Sequence, residues 1–600
     1  MLRPYGDRFL ISGIRTLNVP LQSIQLSKTM NHRLATLIVI GALTALSITA
    51  CKSNKAVVPA ATEVGAESHT DSVTFKDITA SAGITWKHIN GADGRKFFPE
   101  ENGSGVAIFD YDNDGWQDIL MPQCRHWPGH RPVPESTMVL YHNNHNGTFT
   151  DVTKAVGLDI PMFSMGCSIG DYDNDGWADI YMTNLGGNYL FHNDHGVYKD
   201  VTKKAHVEGY GHWSSSAIWI DYDNDGYSDL FCGNYAAWTP ENDIYCTLDG
   251  KLKSYCTPQL YPGDFLQLFH NNHDGTFTDV SKQAGILGSK GKAMGVVMFD
   301  YDEDGWTDVM VSNDLSPNRI LHNEHGKFKD VGVEAGVAYD ENGNARAGMG
   351  IDWADMDRDG KPTVMIGNFA GEMNWVYKYQ GNGVFVDRAP TNGIGTVSLP
   401  YLKFGLVMFD YDYDGWPDVF QVNGHVQPEI EAIQRSTSYR MPSLLFRNQG
   451  NGKFEEVGLK YMKGPFEKRI IGRGAAYGDL NNDGSIDLVA NSTNDYPVVM
   501  LSERKNSNHY LRIKLQGTKS NRDGYAARFY AKVGSMNMMD MMKSGSSFQG
   551  SNEPYVSLGL GQAKQVDELI IKWNCGTIDT LRNVAGDRTI LVKEGSGEVK

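Results

Sequence analysis

No nucleophile elbow, phosphate-binding loop, zinc signature or dinucleotide fingerprint occurs in these 600 residues. The familiar sequence marks of hydrolases, nucleotide-using enzymes, zinc enzymes and dehydrogenases are therefore missing. No basic, aromatic-rich stripe of the kind that tracks nucleic acid is present, so nucleic acid is not an expected partner. Cysteine is scarce, at seven, and only one long apolar run occurs, near the N-terminus. With no second such run, the remainder is expected to be soluble and outside the cytoplasm. Glycine is plentiful, at 66 residues, and aromatics make up 11% of the chain. That mix suits many short strands joined by tight turns. The length suits several units or one repeat array.

The apolar run begins at Met30, in "MNHRLATLIVIGALTALSITAC". A short basic start at His32 and Arg33 followed by an apolar stretch has the shape of a secretory signal peptide. It resembles a bacterial lipoprotein signal, in which Cys51 carries the lipid; an ordinary signal or a membrane anchor is the alternative. Residues 1–29 read as a mis-assigned start or an extension, 30–51 as the signal, and 52–72 as a flexible tether. The expected location is the bacterial envelope, at the outer membrane or cell surface, with a lipid anchor as the membrane contact. Cys246 and Cys256 bracket "CTLDGKLKSYC", and export permits a disulfide there. Cys124, Cys167, Cys232 and Cys575 have no evident partner and are expected to be small buried apolar residues.

An internal repeat decides the fold class. "DYDNDGWQD" at 110 recurs as "DYDNDGWAD" at 171, "DYDNDGYSD" at 221, "DYDEDGWTD" at 300, "DYDYDGWPD" at 410 and "DLNNDGSID" at 479, with a worn copy, "DMDRDGKPT", at 355. Short apolar stretches flank each copy and read as strands. A second block, such as "LYHNNHNGTFTDVTKAVGL" at 140, carries an Asn/Gly hairpin signal. Each repeat thus supplies about four strands, one propeller blade. The expectation is an all-β chain: a seven-bladed propeller over 73–505, followed by a small β-sandwich-like domain over 506–595. The segment from Val73, "VTFKDITASAGITW", is expected to complete the last blade and close the ring.

In D-x-D-x-D-G-x-x-D the acids at positions 1, 3, 5 and 9 can converge on one calcium ion, which takes six to eight oxygen ligands. The first loop offers Asp110, Asp112, Asp114 and Asp118, and the second Asp171, Asp173, Asp175 and Asp179. The third offers Asp221, Asp223, Asp225 and Asp229, and the fourth Asp300, Asp302, Asp304 and Asp308. The worn copy keeps Asp355, Asp357 and Asp359 but ends in Thr363 and should bind more weakly. The sixth has Asp410, Asp412, Asp414 and Asp418; the seventh has Asp479, Asn481, Asp483 and Asp487. Gly115 at position 6 allows the turn. An EF-hand would need Glu at position 12, where the first copy has Met121 in an apolar stretch. Up to seven calcium ions are expected. The twenty-six acids at these positions also account for the formal charge of −17, which becomes +9 without them.

These loops and their strands resemble the FG-GAP repeats of integrin α-subunits, and more closely the cartilage acidic protein family. "NHYLRIKLQGTKSNRDGYAAR", "SGSSFQGSNEPYVSLGLG" and "VDELIIKWNCGTIDTLRNV" resemble its ASPIC/UnbV domain. "NGHV" at 423–426 and the Cys246/Cys256 insert also fit the family's pattern. The resemblance implies a secreted or surface protein with calcium-stabilised repeats, and no particular reaction.

Four hairpins carry H-N-x-H, at His142/His145, His192/His195, His270/His273 and His322/His325, where the family more often has Arg and Gly, as at Arg447 and Gly450. A His pair three apart could share a transition metal; the favoured reading is a turn residue duplicated with its blade, since no extra carboxylate joins a pair at ligand spacing in the sequence. Trp116, Trp177, Trp306 and Trp416 share one repeat position and suggest packing between blades. His425, near Glu429 and Glu431, is the candidate for acid–base chemistry. The expected function is an exported calcium-binding scaffold that recognises or adheres to an extracellular glycan or protein. The alternative is a propeller enzyme acting on an extracellular polymer, with its site at a central opening near His425.

Overall fold

The computed structural model describes residues 73–129, 137–248 and 250–597. The signal peptide, the tether and Cys51 lie outside the described residues. The chain is all-β and is built of four-stranded antiparallel sheets. Seven of these sheets each hold one aspartate loop, between a first and a second strand. The first strands are Ala107–Phe109, Ser164–Gly170, Ser214–Ile220, Ala293–Phe299, Gly348–Ala354, Lys403–Phe409 and Gly472–Gly478. Almost every residue in them is buried on both faces, which is why they read as unbroken apolar or glycine runs rather than alternating ones. Each first strand contacts the next, and Gly472–Gly478 contacts Ala107–Phe109.

The seventh sheet is completed from the other end of the chain. Val73–Asp77 pairs antiparallel with Val498–Arg504, Phe75 opposite Ser502. Phe75 packs beside Phe466 and Tyr411, its ring centroid 5.9 Å from the former.

The C-terminal region forms two further sheets. His509–Gln516 lies between Val556–Gly561 and Arg588–Lys593, the latter pair parallel. Arg528–Val533 lies between Met536–Met541 and Gln565–Lys572, with Ile578–Ala585 at the edge. Leu511, Ile513, Phe529, Leu569 and Trp573 belong to one buried apolar core.

One segment of this region leaves its sheets. Ser544–Glu553 runs among the first strands of the repeats. Ser547 exchanges both backbone hydrogen bonds with Ile351, and its hydroxyl accepts from Leu406 N. Cys167 N donates to the Gln549 carbonyl, and Ile108 N to that of Ser551. The Ser544 hydroxyl donates to the Trp219 carbonyl, and Glu553 N to that of Tyr477. Phe548 is fully buried against Phe404, with ring centroids 4.9 Å apart. Six of the seven repeats thus bond directly to ten consecutive residues. The strands must have almost no side chain where the segment lies: a Cβ on Gly105 would fall 1.8 Å from the Gln549 carbonyl oxygen.

Cys246 and Cys256 are joined by a disulfide. Cys124, Cys167 and Cys232 are buried, but Cys575 is exposed, a correction to the sequence reading. Its thiol donates to Glu594 Oε1 at 2.7 Å, a polar use that keeps it at the surface.

Candidate metal centre

Each aspartate loop is folded by its own carboxylates. In the first, Asp110 Oδ1 accepts from Asp114 N at 3.1 Å and Oδ2 from Gly115 N at 3.0 Å. Asp114 Oδ1 accepts from Trp116 N at 2.8 Å. Asp118 spans the ends of the site, accepting from Tyr111 N and Asn143 N. The second loop repeats these bonds with Asp171, Asp175 and Asp179. The loop turns tightly because two residues are left-handed: Gly115 at position 6 (φ 88°) and Asn113 at position 4 (φ 58°). Position 4 is left-handed in all seven copies, through Asn174, Asn224, Glu303, Arg358, Tyr413 and Asn482.

The geometry crowds negative charge into a poorly solvated pocket. Asp118, Asp179, Asp229 and Asp308 are each fully buried. Burial first, and then the neighbouring carboxylates, push Asp118 up to about 8 and Asp229 up to about 7. Asp418 and Asp487 are raised well above the usual carboxylate range for the same reasons. One oxygen of the position-3 aspartate in the first three loops, Oδ1 of Asp112, Asp173 and Asp223, is buried without a hydrogen-bond partner, as is Oδ1 of the fourth loop's position-1 aspartate, Asp300. A divalent cation is the group that such converging, unpartnered oxygens fit. The carboxylates present therefore suit a divalent cation of the kind the sequence implies.

The repeats differ in what stands opposite the loop. In the first four it is the first histidine of H-N-x-H. His142 Nδ1 lies 3.4 Å from Asp112 and 3.5 Å from Asp118; His270 Nδ1 lies 3.4 Å from Asp223 and 3.2 Å from Asp229. Carboxylates thus do join the histidines, from the aspartate loop earlier in the same repeat, which spacing within the motif could not show. In the fifth repeat Lys378 reaches Asp359 at 2.5 Å and Asp357 at 3.4 Å. In the sixth Arg447 reaches Asp412 at 2.9 Å and Asp414 at 3.1 Å. In the seventh the same strand position is Leu501.

The second histidine is the turn residue. His145, His195, His273 and His325 are all left-handed, where the sixth repeat has Gly450. The position-7 aromatic packs on it: Trp116 stacks on His145 at 4.7 Å and Tyr227 on His273 at 3.9 Å. That ring therefore covers its own repeat's hairpin.

The asparagine between the histidines ties consecutive repeats together. Asn193 Nδ2 donates to the Tyr111 carbonyl in the preceding repeat's loop, and Asn271, Asn323 and Asn448 do the same to Tyr172, Tyr222 and Met356. Its recurrence beside both histidines was the sequence signal for this link.

The C-terminal region lies against the same loops. Arg512 holds Asp479 and Glu553, both at 2.6 Å, and Arg528 holds Asp300. Asp523 accepts from Asp171 N at 2.8 Å, and Arg522 N donates to Asn174. His425 lies elsewhere. It is 2% exposed, its Nδ1 accepts from Gln427 N at 3.0 Å, and burial pulls it down to about 4. Glu429 bonds Lys96 at 2.7 Å and Glu431 accepts from Tyr439 N.

Comparison with known proteins agrees with this architecture. The FG-GAP-like repeat family matches residues 133–182, 171–232, 242–311, 300–366 and 355–420, and the ASPIC and UnbV family matches 517–599. The chain is thus an FG-GAP repeat protein with a C-terminal ASPIC/UnbV domain. That pairing, with its curated relatives, fits the cartilage acidic protein family. Cartilage acidic protein 1 of Homo sapiens is 25% identical over 321 residues, 51% of this chain and 44% of the human protein. The Mus musculus protein is 25% identical over 330 residues, 53% and 47% of the two chains. The chain spans about half the length of the curated relatives it matches. Among solved structures, an Agrocybe aegerita lectin specific for non-reducing terminal N-acetylglucosamine aligns at TM-score 0.35 and 17% identity, over 58% of this chain and 78% of its own. An exotype rhamnogalacturonan lyase aligns at TM-score 0.37 and 10% identity, over 66% and 71%.

Proposed function

We propose that this protein is an exported scaffold whose seven repeats form a closed, calcium-stiffened β-propeller, tethered by a lipid on Cys51. It presents its surface to an extracellular glycan or protein. The observation that carries the cation reading is the convergence of buried, unpartnered aspartate oxygens in the first four loops; calcium is the ion the all-oxygen ligand positions of the repeat suit. Without a counter-ion those loops repel themselves, so metal binding and folding are coupled. Closure is supported by the pairing of Val73–Asp77 with Val498–Arg504 and by the contact between the first strands of the first and seventh repeats.

The test is thermal melting of the whole protein with chelator and then with calcium returned. The melting temperature should fall by many degrees and recover; no shift with chelator would end the calcium reading. Binding to a glycan array, with and without chelator, then scores recognition. Labelling with radioactive palmitate should mark the wild type and not Cys51→Ala; an unlabelled wild type would remove the anchor.

A further inference from the structure

Calcium takes oxygen ligands and has little use for imidazole. Four of the seven loops nevertheless have an imidazole nitrogen facing the carboxylates. His192 Nδ1 is 3.2 Å from Asp179 and 3.5 Å from Asp173, and His322 Nδ1 is 3.1 Å from Asp308. In the first repeat, ligand atoms of Asp112, Asp118 and His142 all lie within 4.8 Å of one another, as do those of Asp223, Asp225 and His270 in the third. Two of these nitrogens, Nδ1 of His142 and of His270, are buried and have no hydrogen-bond partner. In the first and third repeats a buried, unpartnered nitrogen thus stands beside a buried, unpartnered carboxylate oxygen, which calls for a cation that bonds both; in the second and fourth the nitrogen is hydrogen-bonded to Asp179 and Asp308, and a cation would take its place between them.

We infer that the four histidine-bearing loops bind a first-row transition dication of the zinc class, held by the first histidine of H-N-x-H and the loop carboxylates. Mixed imidazole and carboxylate donors favour such ions over calcium, and affinity rises along the first-row series towards copper. The chain contains its own controls. Lys378 and Arg447 put a fixed positive charge at the equivalent position in the fifth and sixth repeats, and Leu501 supplies no donor in the seventh. Zinc-class ions should therefore go to the first four loops and not to the other three. The inference rests on the reading of these loops as cation sites and divides that reading by metal.

The experiment is equilibrium dialysis of the whole, metal-stripped protein against zinc alone, calcium alone, and both, with bound metal quantified per chain. Cobalt(II) absorption in the visible gives an independent report of nitrogen ligation. The variant carries His142→Gln, His192→Gln, His270→Gln and His322→Gln together; glutamine keeps the length and offers oxygen. The wild type should take up about four zinc ions, with at least a ~100-fold preference over calcium. The variant should lose most of that zinc and its cobalt band while still binding calcium, which also shows that it folds. Zinc uptake unchanged by the variant, or calcium uptake with no zinc in the wild type, overturns the inference and leaves the calcium reading standing. Zinc uptake lost with the histidines, in a wild type that takes no calcium, sinks the calcium reading alone. Uptake of neither ion sinks both.

Discussion

The side-chain amide of Asn143 donates to the Leu480 carbonyl at 2.7 Å across 337 residues of sequence, and to the Gln117 carbonyl at 3.0 Å. One side chain thus fastens the first repeat's loop to the seventh's. Asn193, Asn271, Asn323 and Asn448 make the equivalent link between consecutive repeats.

Asn143→Ala should therefore cost more than an ordinary surface substitution. It leaves two carbonyls without a partner, one of them in a fully buried setting, for about 2–4 kcal/mol. Chemical denaturation of the calcium-loaded protein measures it. A loss under 0.5 kcal/mol, on the scale of a surface change, would mean the link carries no weight.

The cation-bearing loops should respond differently from the others to loss of one carboxylate. Asp357→Asn removes a partner of Lys378 and Arg388, whereas Asp112→Asn removes a ligand-facing carboxylate that lacks a fixed cation. Asp112→Asn should lower bound divalent metal by about one ion per chain, and Asp357→Asn by much less. Metal quantification after dialysis checks both; equal losses would show that Lys378 does not act as the fifth loop's counter-ion.

Two buried histidines predict acid sensitivity. Burial, with Arg473 nearby, holds His88 down to about 3 and His425 to about 4, against an ordinary value of 6.5. The unfolded chain then binds protons that the folded chain refuses, so stability is full above pH 6.5 and falls steadily towards pH 4. The melting temperature should drop across that window. The drop should shrink in a His88→Asn, His425→Asn double variant. A slope that the double variant leaves intact would assign the sensitivity to other groups.

The loops and their count were legible because the nine residues of each copy lie together and several of them need a stereotyped side chain. The repeat strands were legible for the same local reason. The histidine's partners were not: His142 meets Asp112 and Asp118 only after the hairpin folds back on its own sheet. Trp116, read as packing between blades, instead stacks on His145, because a left-handed hairpin residue turns that ring towards the loop. The insertion of Ser544–Glu553 left no periodic or charged signal. Its serines and glycines look like a linker, yet a Cβ on Gly550 would fall 2.2 Å from the Val106 carbonyl oxygen.

That segment gives the last prediction. Phe548→Ala removes a fully buried ring packed on Phe404 and should cost about 3–5 kcal/mol. Gly105→Ala should be comparably damaging, since its methyl group meets backbone. Limited proteolysis should then cut near residues 543–553 in both variants and spare the wild type; resistance in the variants would show the segment is held from its own sheets.

The arrangement also sets a timetable. The first described strand, Val73–Asp77, has no partner until Val498–Arg504 exists, and the first strands of the repeats lack their hydrogen-bond partners in Ser544–Glu553 until that segment follows. At ~5–20 residues per second, a ribosome needs roughly half a minute to two minutes to reach that point. Until then, seven acidic loops and an open strand edge must be kept from other chains, so the final tenth of the polypeptide decides when the first is safe.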